Sequence, residues 1–184
     1  MILSDQDIRA SLKAGMIQVD PQVDPENIRP VGIRLHLGAH LLEPSSSQTT
    51  IDLAGEKEPE FNEVCIGSEG YVLSRGKFVL GASVEHVRLD PDIVCLVDGR
   101  STLARVGLLV HCGAMTFDHI QGEARSVTFE LANIGPFDVI LRAGSPIALL
   151  LFARLSSAVQ QAPNPQYMGQ SKPTPPTIGY VRRI

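Results

Sequence analysis

Short apolar runs, separated by glycine, proline, aspartate and asparagine, recur along most of the chain. Runs of this kind are typical of β-strands that are joined by turns. Many short strands with little helical periodicity indicate an all-β sandwich, jelly roll or barrel. The runs that predict strands cover residues 71–73, 77–80, 93–97, 108–110, 126–132, 139–141 and 147–152.

The N-terminal segment shows a different pattern. Ser4 and Asp7 have the spacing of a helix-capping pair, and Ile8 begins an apolar stripe that repeats one helical turn later at Leu12. We therefore predict one short helix over residues 4–14.

Two segments lack a strand pattern. Residues 44–70 are rich in serine, threonine, glutamate and glycine, which predicts a mobile excursion. Beyond residue 160 the chain holds five prolines, too many to pair within a sheet. We therefore expect one β domain over residues 1–160. The proline-rich tail over residues 161–184 either extends freely or folds over another surface.

Size and charge narrow the possible partners. A chain of 184 residues, with 43% hydrophobic and 20% charged residues, is sufficient for one globular core. Its formal net charge of -4 offers no broad basic surface to a nucleic-acid backbone or an anionic membrane. We therefore expect neither nucleic acid nor membrane as a partner, and any bound anion must meet a local group of cations.

Cysteine use and the start of the chain favour a cytoplasmic location. Cys65, Cys95 and Cys112 are well separated and form no C-x-x-C pair, which favours reduced thiols over a disulfide framework or a zinc site. The first residues lack a basic segment followed by an apolar run, and no stretch approaches the length of a membrane span.

The densest polar signal, residues 98–107, directly follows a predicted strand. Arg100, Ser101, Thr102 and Arg105 place two guanidinium groups and two hydroxyls within one short stretch. These groups could cradle a polyanion, because guanidinium forks match phosphate oxygens and hydroxyls fill the gaps between them. Alternatively, the two arginines are surface charges on a short helix that Ser101 caps. The residues alone leave both interpretations open.

Glu130 lies within the predicted strand 126–132. Side chains alternate along a strand, so Thr128 and Glu130 face away from the apolar positions between them. Glu130 is an ordinary surface charge if that face meets solvent, and a candidate general base if the face lines a cavity. Upstream, Gly113 and Ala114 could bring bare backbone close to a flat ligand.

Residues 98–108 closely resemble the G-R-S-S-L-A-R-x-G-L motif of the dCTP deaminase family. The resemblance continues, in the family's order, at residues 2–5, 78–85, 127–133 and 167–174. It therefore spans nearly the whole chain. It implies an all-β, distorted jelly roll of the trimeric dUTPase type, and a homotrimer with active sites between subunits.

The resemblance also implies a reaction, the hydrolytic deamination of dCTP to dUTP and ammonia. Glu130 would activate water for attack on C4 of cytosine, with Ser101 and Arg105 as polar partners. Mg²⁺ would be carried by the triphosphate rather than by a protein site. Zinc is not expected, because zinc deaminases need H-x-E and P-C-x-x-C strings that do not occur here. The predicted nucleotide-binding residues are Arg100, Ser101, Thr102, Arg105, Ala114, Asp118, Tyr167, Gln170 and Lys172, of which the last three belong to a tail that would close over the nucleotide.

Two departures from the family affect the site. The usual [SI]-x-D-[LV]-R-L-G motif is residues 32–38 here, and its acid has become Arg34. The usual I-D-P-G-[FW]-x-G motif is also changed: Asp118 is kept, but the Pro-Gly turn is lost. The segment 118–125 is about two residues longer than in the family. We expect the loop to absorb this insertion, since a shift within the strand would turn Glu130 to the other face.

Three functions therefore stay open. The first is the deaminase with Glu130 as its base. The second is a dUTP diphosphatase or a bifunctional enzyme giving dUMP and pyrophosphate, in which Asp118 would activate water at phosphorus. The third is a catalytically silent nucleotide-binding paralogue, motivated by Arg34 and by the remodelled 118–125 loop. Met115, where relatives often have His or Gly, and Lys172, where Gly is common, fit the same interpretation. A modified cytosine substrate and inhibition by dTTP also stay open.

Overall fold

The computed structural model describes residues 1–54, 57–117, 122–160, 167 and 169–178. Its first element is helix α1, Asp5–Lys13. Ser4 Oγ accepts a hydrogen bond from the Asp7 backbone N–H, and Asp7 Oδ2 accepts one from the Ser4 backbone N–H, so the two residues cap the helix reciprocally. The predicted short N-terminal helix is confirmed. Among the described residues, no helix is long and apolar enough to cross a membrane.

Strands dominate the rest of the described chain. They are β1 (Ile17–Asp20), β2 (Ile28–Arg29), β3 (Gly32–Pro44), β4 (Phe61–Cys65), β5 (Tyr71–Leu73), β6 (Phe78–Leu89), β7 (Ile93–Gly99), β8 (Leu108–Leu109), β9 (Thr116–Phe117), β10 (Arg125–Asn133), β11 (Val139–Leu141) and β12 (Pro146–Arg154). A 3-10 turn, Pro25–Asn27, precedes β2, and a one-turn helix α2, Ser101–Ala104, follows β7.

One curled sheet holds most of these strands. Its main path runs β8-β10-β6-β3-β12-β7-β9, with β1 paired to β6 and with β2 and β4 paired to β3, while β5 and β11 form a separate two-stranded ribbon. The long strands β3 and β6 pair over only part of their length and change register, which lets the sheet curl around one apolar core. The fold is an all-β distorted jelly roll, as predicted.

The sequence prediction failed for part of residues 44–70. Phe61–Cys65 is strand β4, which pairs with the second half of β3 from His40↔Cys65 to Pro44↔Phe61. This strand escaped the prediction because only Phe61 and Val64 are half-buried while its other side chains are exposed. An edge strand of that kind carries little apolar signal.

Two glycines, Gly107 and Gly135, allow the segment after α2 to pack closely against the segment after β10. A Cβ on Gly135 would lie 1.9 Å from the carbonyl oxygen of Val106, and one on Gly107 would lie 2.3 Å from the Cα of Gly135. The Ile134 N–H donates to the Gly107 carbonyl at 2.9 Å. The two backbones can approach this closely only because neither glycine carries a side chain.

Candidate active site

A cavity of about 340 Å³ opens between β10, the loop after β8, strands β7 and β9, and the described part of the C-terminal tail. Its wall combines apolar and polar side chains, which suits a flat, partly polar ligand. The apolar part includes Phe61, Phe78, Leu80, Val97 and Phe117, and the polar part includes Thr116, Arg125, Ser126, Thr128, Glu130 and Gln170.

Glu130 lies on this cavity wall. Its strand neighbours Phe129 and Leu131 are fully buried in the core, so Thr128 and Glu130 face the other way, into the cavity. The pairing of β10 with β6 changes register between Ser126 and Thr128, which is upstream of Glu130. The strand therefore keeps its expected alternation through Glu130, and the interpretation of this residue as a free surface charge is excluded.

The backbone of the preceding loop orients the carboxylate. The Cys112 N–H donates to Glu130 Oε2 at 2.8 Å, while the Glu130 N–H donates to the Val110 carbonyl at 3.0 Å. Within the described residues, Oε1 of Glu130 has no hydrogen-bond partner. One carboxylate oxygen is thus fixed and the other can accept a hydrogen bond from a bound water or ligand.

Cys112 was not singled out by the sequence, yet it adjoins the carboxylate. Its Sγ lies 3.4 Å from the Glu130 carbonyl oxygen. Partial burial raises the pKa of the Cys112 thiol, and the negative charge of Glu130 raises it further. The thiol therefore stays protonated at neutral pH. In the sequence, the one signal at Cys112 is its position just after a predicted apolar strand.

Ala114 also lines the cavity, as expected for a residue whose backbone reads a base. It follows Gly113, which has φ of 128°, a conformation that L side chains rarely adopt. The glycine turns the chain between Cys112 and Ala114, so both residues reach the same cavity.

The described part of the tail packs against the start of β10. Gln170 Nε2 donates to Thr128 Oγ1 at 2.6 Å, and the Gln170 carbonyl accepts from the Ser126 N–H at 2.9 Å. Arg125, which is almost fully buried and was missed by sequence reasoning, donates through Nη1 to the Tyr167 carbonyl at 3.0 Å. Tyr167 and Gln170 are thereby brought to the cavity wall.

Lys172, which was also predicted to bind the nucleotide, is not among the residues that line the cavity. Lys172 Nζ donates to Glu63 Oε1 at 2.8 Å and so turns toward β4. This hydrogen bond, together with the lysine's charge, lowers the pKa of the Glu63 carboxyl. Asp118 lies outside the described residues.

Residues 98–107, the arginine-rich segment, do not line the cavity that contains Glu130 within one chain. Ser101, Thr102 and Arg105 are exposed, and none of them lines the cavity as far as the chain is described. Arg100 Nη1 donates to the Pro146 carbonyl at 2.6 Å. The predicted short helix is present, but Arg100 rather than Ser101 is its N-cap, since Ser101 is already its first helical residue.

The described acidic, histidine and cysteine side chains form no group of three or more that could hold a metal ion. The acid of the family motif near the N-terminus is replaced by Arg34. The described residues therefore form no cage of three or more such side chains for Mg²⁺, and an ion bound here would take most of its ligands from the triphosphate and water.

Comparison with known proteins agrees with this picture. A family model described as dCTP deaminase-like matches residues 2–155. The chain is 36% identical to a protein of Natronomonas pharaonis named dCTP deaminase, over 94% of this chain and 92% of that protein. It is also 36% identical to a protein of Dictyoglomus thermophilum named dCTP deaminase, dUMP-forming, over 95% of this chain and 93% of the relative.

A solved structure supports the fold. The crystal structure of 2'-deoxycytidine 5'-triphosphate deaminase from Agrobacterium tumefaciens superposes with a TM-score of 0.60 at 19% sequence identity. The match covers 84% of this chain, which spans about half (48%) of the longer chain in that structure. At this identity the likeness establishes the shared fold alone.

Proposed function

Because the chain belongs to the dCTP deaminase-like family, we propose that it is an enzyme that converts dCTP and water to dUTP and ammonia, with Glu130 as the general base. The observation that carries this proposal is the Glu130 carboxylate on the cavity wall, held at one oxygen by the Cys112 N–H and open at the other. That arrangement suits a base that must hold a water molecule against a flat ring.

The chemistry follows from this position. With cytosine in the cavity, Glu130 removes a proton from water as the water oxygen forms a bond to C4. The electrons of the C4–N3 double bond move to N3, which takes up this proton. Glu130 then accepts the proton of the new C4 hydroxyl and delivers it to the amino nitrogen, the bond from C4 to that nitrogen breaks, and ammonia leaves as the C4 carbonyl forms. The Ala114 backbone, at the same wall, would hold the base edge during these steps.

Completing the site requires a second copy of the chain. Ser101, Thr102 and Arg105 are exposed on one chain, whereas Glu130 lies in a cavity that they do not line in the described structure. A homotrimer would solve this by placing the 100–105 segment of one subunit at the cavity mouth of the next. The triphosphate would then extend from the mouth toward Arg100 and Arg105, whose forks match phosphate oxygens.

Magnesium, in this proposal, enters with the triphosphate and neutralises part of its charge. No step is assigned to a protein-held ion, because the described acidic, histidine and cysteine side chains form no group of three or more ligands. A cytoplasmic location remains our proposal and rests on the free cysteines, Cys65, Cys95 and Cys112.

One incubation tests the proposal. The purified chain is mixed with dCTP and Mg²⁺, the nucleotides are separated by ion-exchange chromatography, and ammonia and pyrophosphate are both measured. We expect one ammonia for each dCTP consumed. Tight binding of dCTP with no ammonia would instead identify a silent nucleotide-binding protein.

A second candidate is a bifunctional enzyme that continues from dUTP to dUMP and pyrophosphate. It is favoured by the names of several relatives that are called dUMP-forming. Asp118 would activate the water that attacks phosphorus. Pyrophosphate equal to the ammonia formed would establish this activity, and its absence would leave deamination alone. Adding dTTP to the same assay tests whether this nucleotide inhibits the enzyme.

A further inference from the structure

Arg34 is a half-buried cation for which the described residues provide no hydrogen-bond or ion-pair partner. Its neighbours Ile33 and Leu35 are fully buried in the core, so Arg34 projects from the opposite face of β3. There it lines a second cavity of about 260 Å³ with Asp24 and Glu85. Its guanidinium makes no hydrogen bond or ion pair with any part of the chain that the structure describes.

Neither acid of this second cavity is paired with Arg34 in the described structure, and each accepts a hydrogen bond from another backbone N–H. Glu85 Oε2 accepts from the His36 backbone N–H at 2.9 Å, and Glu85 Oε1 lies 2.5 Å from His36 Nδ1. Asp24 Oδ1 accepts from the Glu26 N–H at 2.9 Å and so caps the 3-10 turn. Removing a guanidinium from bulk water is costly unless an anion compensates it. Because no described group pairs with Arg34, its guanidinium is available to an anion from outside the chain.

Strand register brings Arg34 close to the arginine-rich segment. Arg34 is the cross-strand partner of Leu149 on β12, and Leu149 is in turn the partner of Asp98 on β7. Paired residues point to the same face, and neighbouring strands lie about 4.8 Å apart, so Arg34 stands about 10 Å from the residue that begins the segment. Asp98 is exposed and its Oδ1 accepts the Gly99 N–H at 2.7 Å.

A second contact ties the same two regions together. Arg100 donates to the carbonyl of Pro146, and Pro146 is the cross-strand partner of His36, two residues after Arg34. Arg34 and Arg100 therefore lie at the same end of the β3-β12-β7 layer. Arg105, at the end of α2, adds a third guanidinium to this end of the molecule.

We propose that Arg34 contacts the phosphates of the bound nucleotide, so that the guanidinium groups of Arg34, Arg100 and Arg105 together neutralise the triphosphate. Nucleotide binding then depends less on a divalent cation than it would if position 34 held an acid. This inference rests on the proposed nucleotide-binding role of the 100–105 segment. It assigns Arg34 to phosphate binding and gives it no part in the chemistry at C4.

The test measures binding by calorimetry, with dCTP and with inorganic tripolyphosphate, once in EDTA and once in Mg²⁺. In EDTA, Arg34→Gln should weaken binding of both ligands by about tenfold or more, the usual effect of one charge-assisted hydrogen bond. Arg34→Lys should retain most of the affinity. Arg29→Gln, which removes an exposed arginine on the adjacent β2, should change nothing. Binding of 2'-deoxycytidine, which has no phosphate, should be the same in all variants.

Equal affinity of wild type and Arg34→Gln for tripolyphosphate in EDTA overturns the inference. The wild-type chain gives a second measurement that needs no variant to fold: loss of dCTP binding when Mg²⁺ is removed also overturns it. Failure of the proposed function would give a different result. A chain that binds dCTP through Arg34 but releases no ammonia would not be a deaminase, while the phosphate contact of Arg34 would still hold.

Discussion

The Cys112 N–H and the Glu130 carboxylate are joined by a hydrogen bond of 2.8 Å across the cavity wall. The bond links a loop residue to a strand residue that are eighteen positions apart in the chain. It leaves one oxygen of Glu130 free of described partners, and this oxygen is the feature on which the proposed chemistry depends.

Replacing Glu130 by glutamine should stop deamination without preventing binding. The amide keeps the size of the side chain and can still accept from Cys112, but it cannot take a proton from water. We expect ammonia release to fall by about 10²-fold to 10⁴-fold, the usual contribution of a general base, while calorimetry shows unchanged dCTP affinity. Glu69→Gln, at an exposed turn, is the matched control. Full activity of Glu130→Gln would refute the proposed role.

Alkylation of Cys112 should inactivate the enzyme, and its rate should rise with pH. Burial and the charge of Glu130 raise the pKa of this thiol, so the reactive thiolate forms only at a higher pH than for an ordinary cysteine. We expect slow loss of activity with iodoacetamide at pH 7 and faster loss above pH ~9. Mass spectrometry of a Cys65→Ser background identifies the modified residue. Equal inactivation of Cys112→Ser in that background would contradict the assignment.

Gln170→Ala should weaken closure of the tail. The substitution removes the hydrogen bond to Thr128 but leaves the backbone bond from Ser126. One neutral hydrogen bond contributes about 1 kcal/mol, so we expect the KM for dCTP to rise about fivefold, with little change in kcat. Thr177→Ala, an exposed tail position, is the control. A fall in kcat alone would show that Gln170 does not act through closure.

Gly135→Ala should destabilise the fold and displace the 100–105 segment, which we propose binds the phosphates. The added methyl group would overlap the Val106 carbonyl, so one backbone must shift. Overpacking of this kind typically costs 1–3 kcal/mol, and we expect about 3 kcal/mol in the free energy of unfolding measured with urea. Gly67→Ala, whose Cβ would meet nothing within 4 Å, should be tolerated. A Gly135→Ala variant as stable as wild type would show that this close approach is absent in solution.

The core and the orientation of Glu130 could be predicted from the sequence because both follow from alternation. Phe129 and Leu131 are apolar and buried, and this alone fixes which way Glu130 points. Strand β4 could not be predicted, because half-buried Phe61 and Val64 are its main apolar signal.

The contacts of the site could be predicted less well. The hydrogen bonds from Cys112 to Glu130 and from Gln170 to Thr128 depend on how a loop and the tail pack against β10, and no local sequence pattern predicts that packing. Arg125 was not predicted as a site residue, yet it is almost fully buried and donates a hydrogen bond to the Tyr167 carbonyl. The proposed meeting of Ser101 and Arg105 with Glu130 requires a neighbouring subunit, which local sequence patterns do not encode.

The change of register between Ser126 and Thr128 makes the direction of the Glu130 side chain independent of the length of the segment that precedes it. An added or deleted residue upstream can be taken up at this irregularity, so natural variation or a laboratory graft could exchange that segment wholesale. Substrate preference could thereby diverge among relatives while the proposed general base keeps its position.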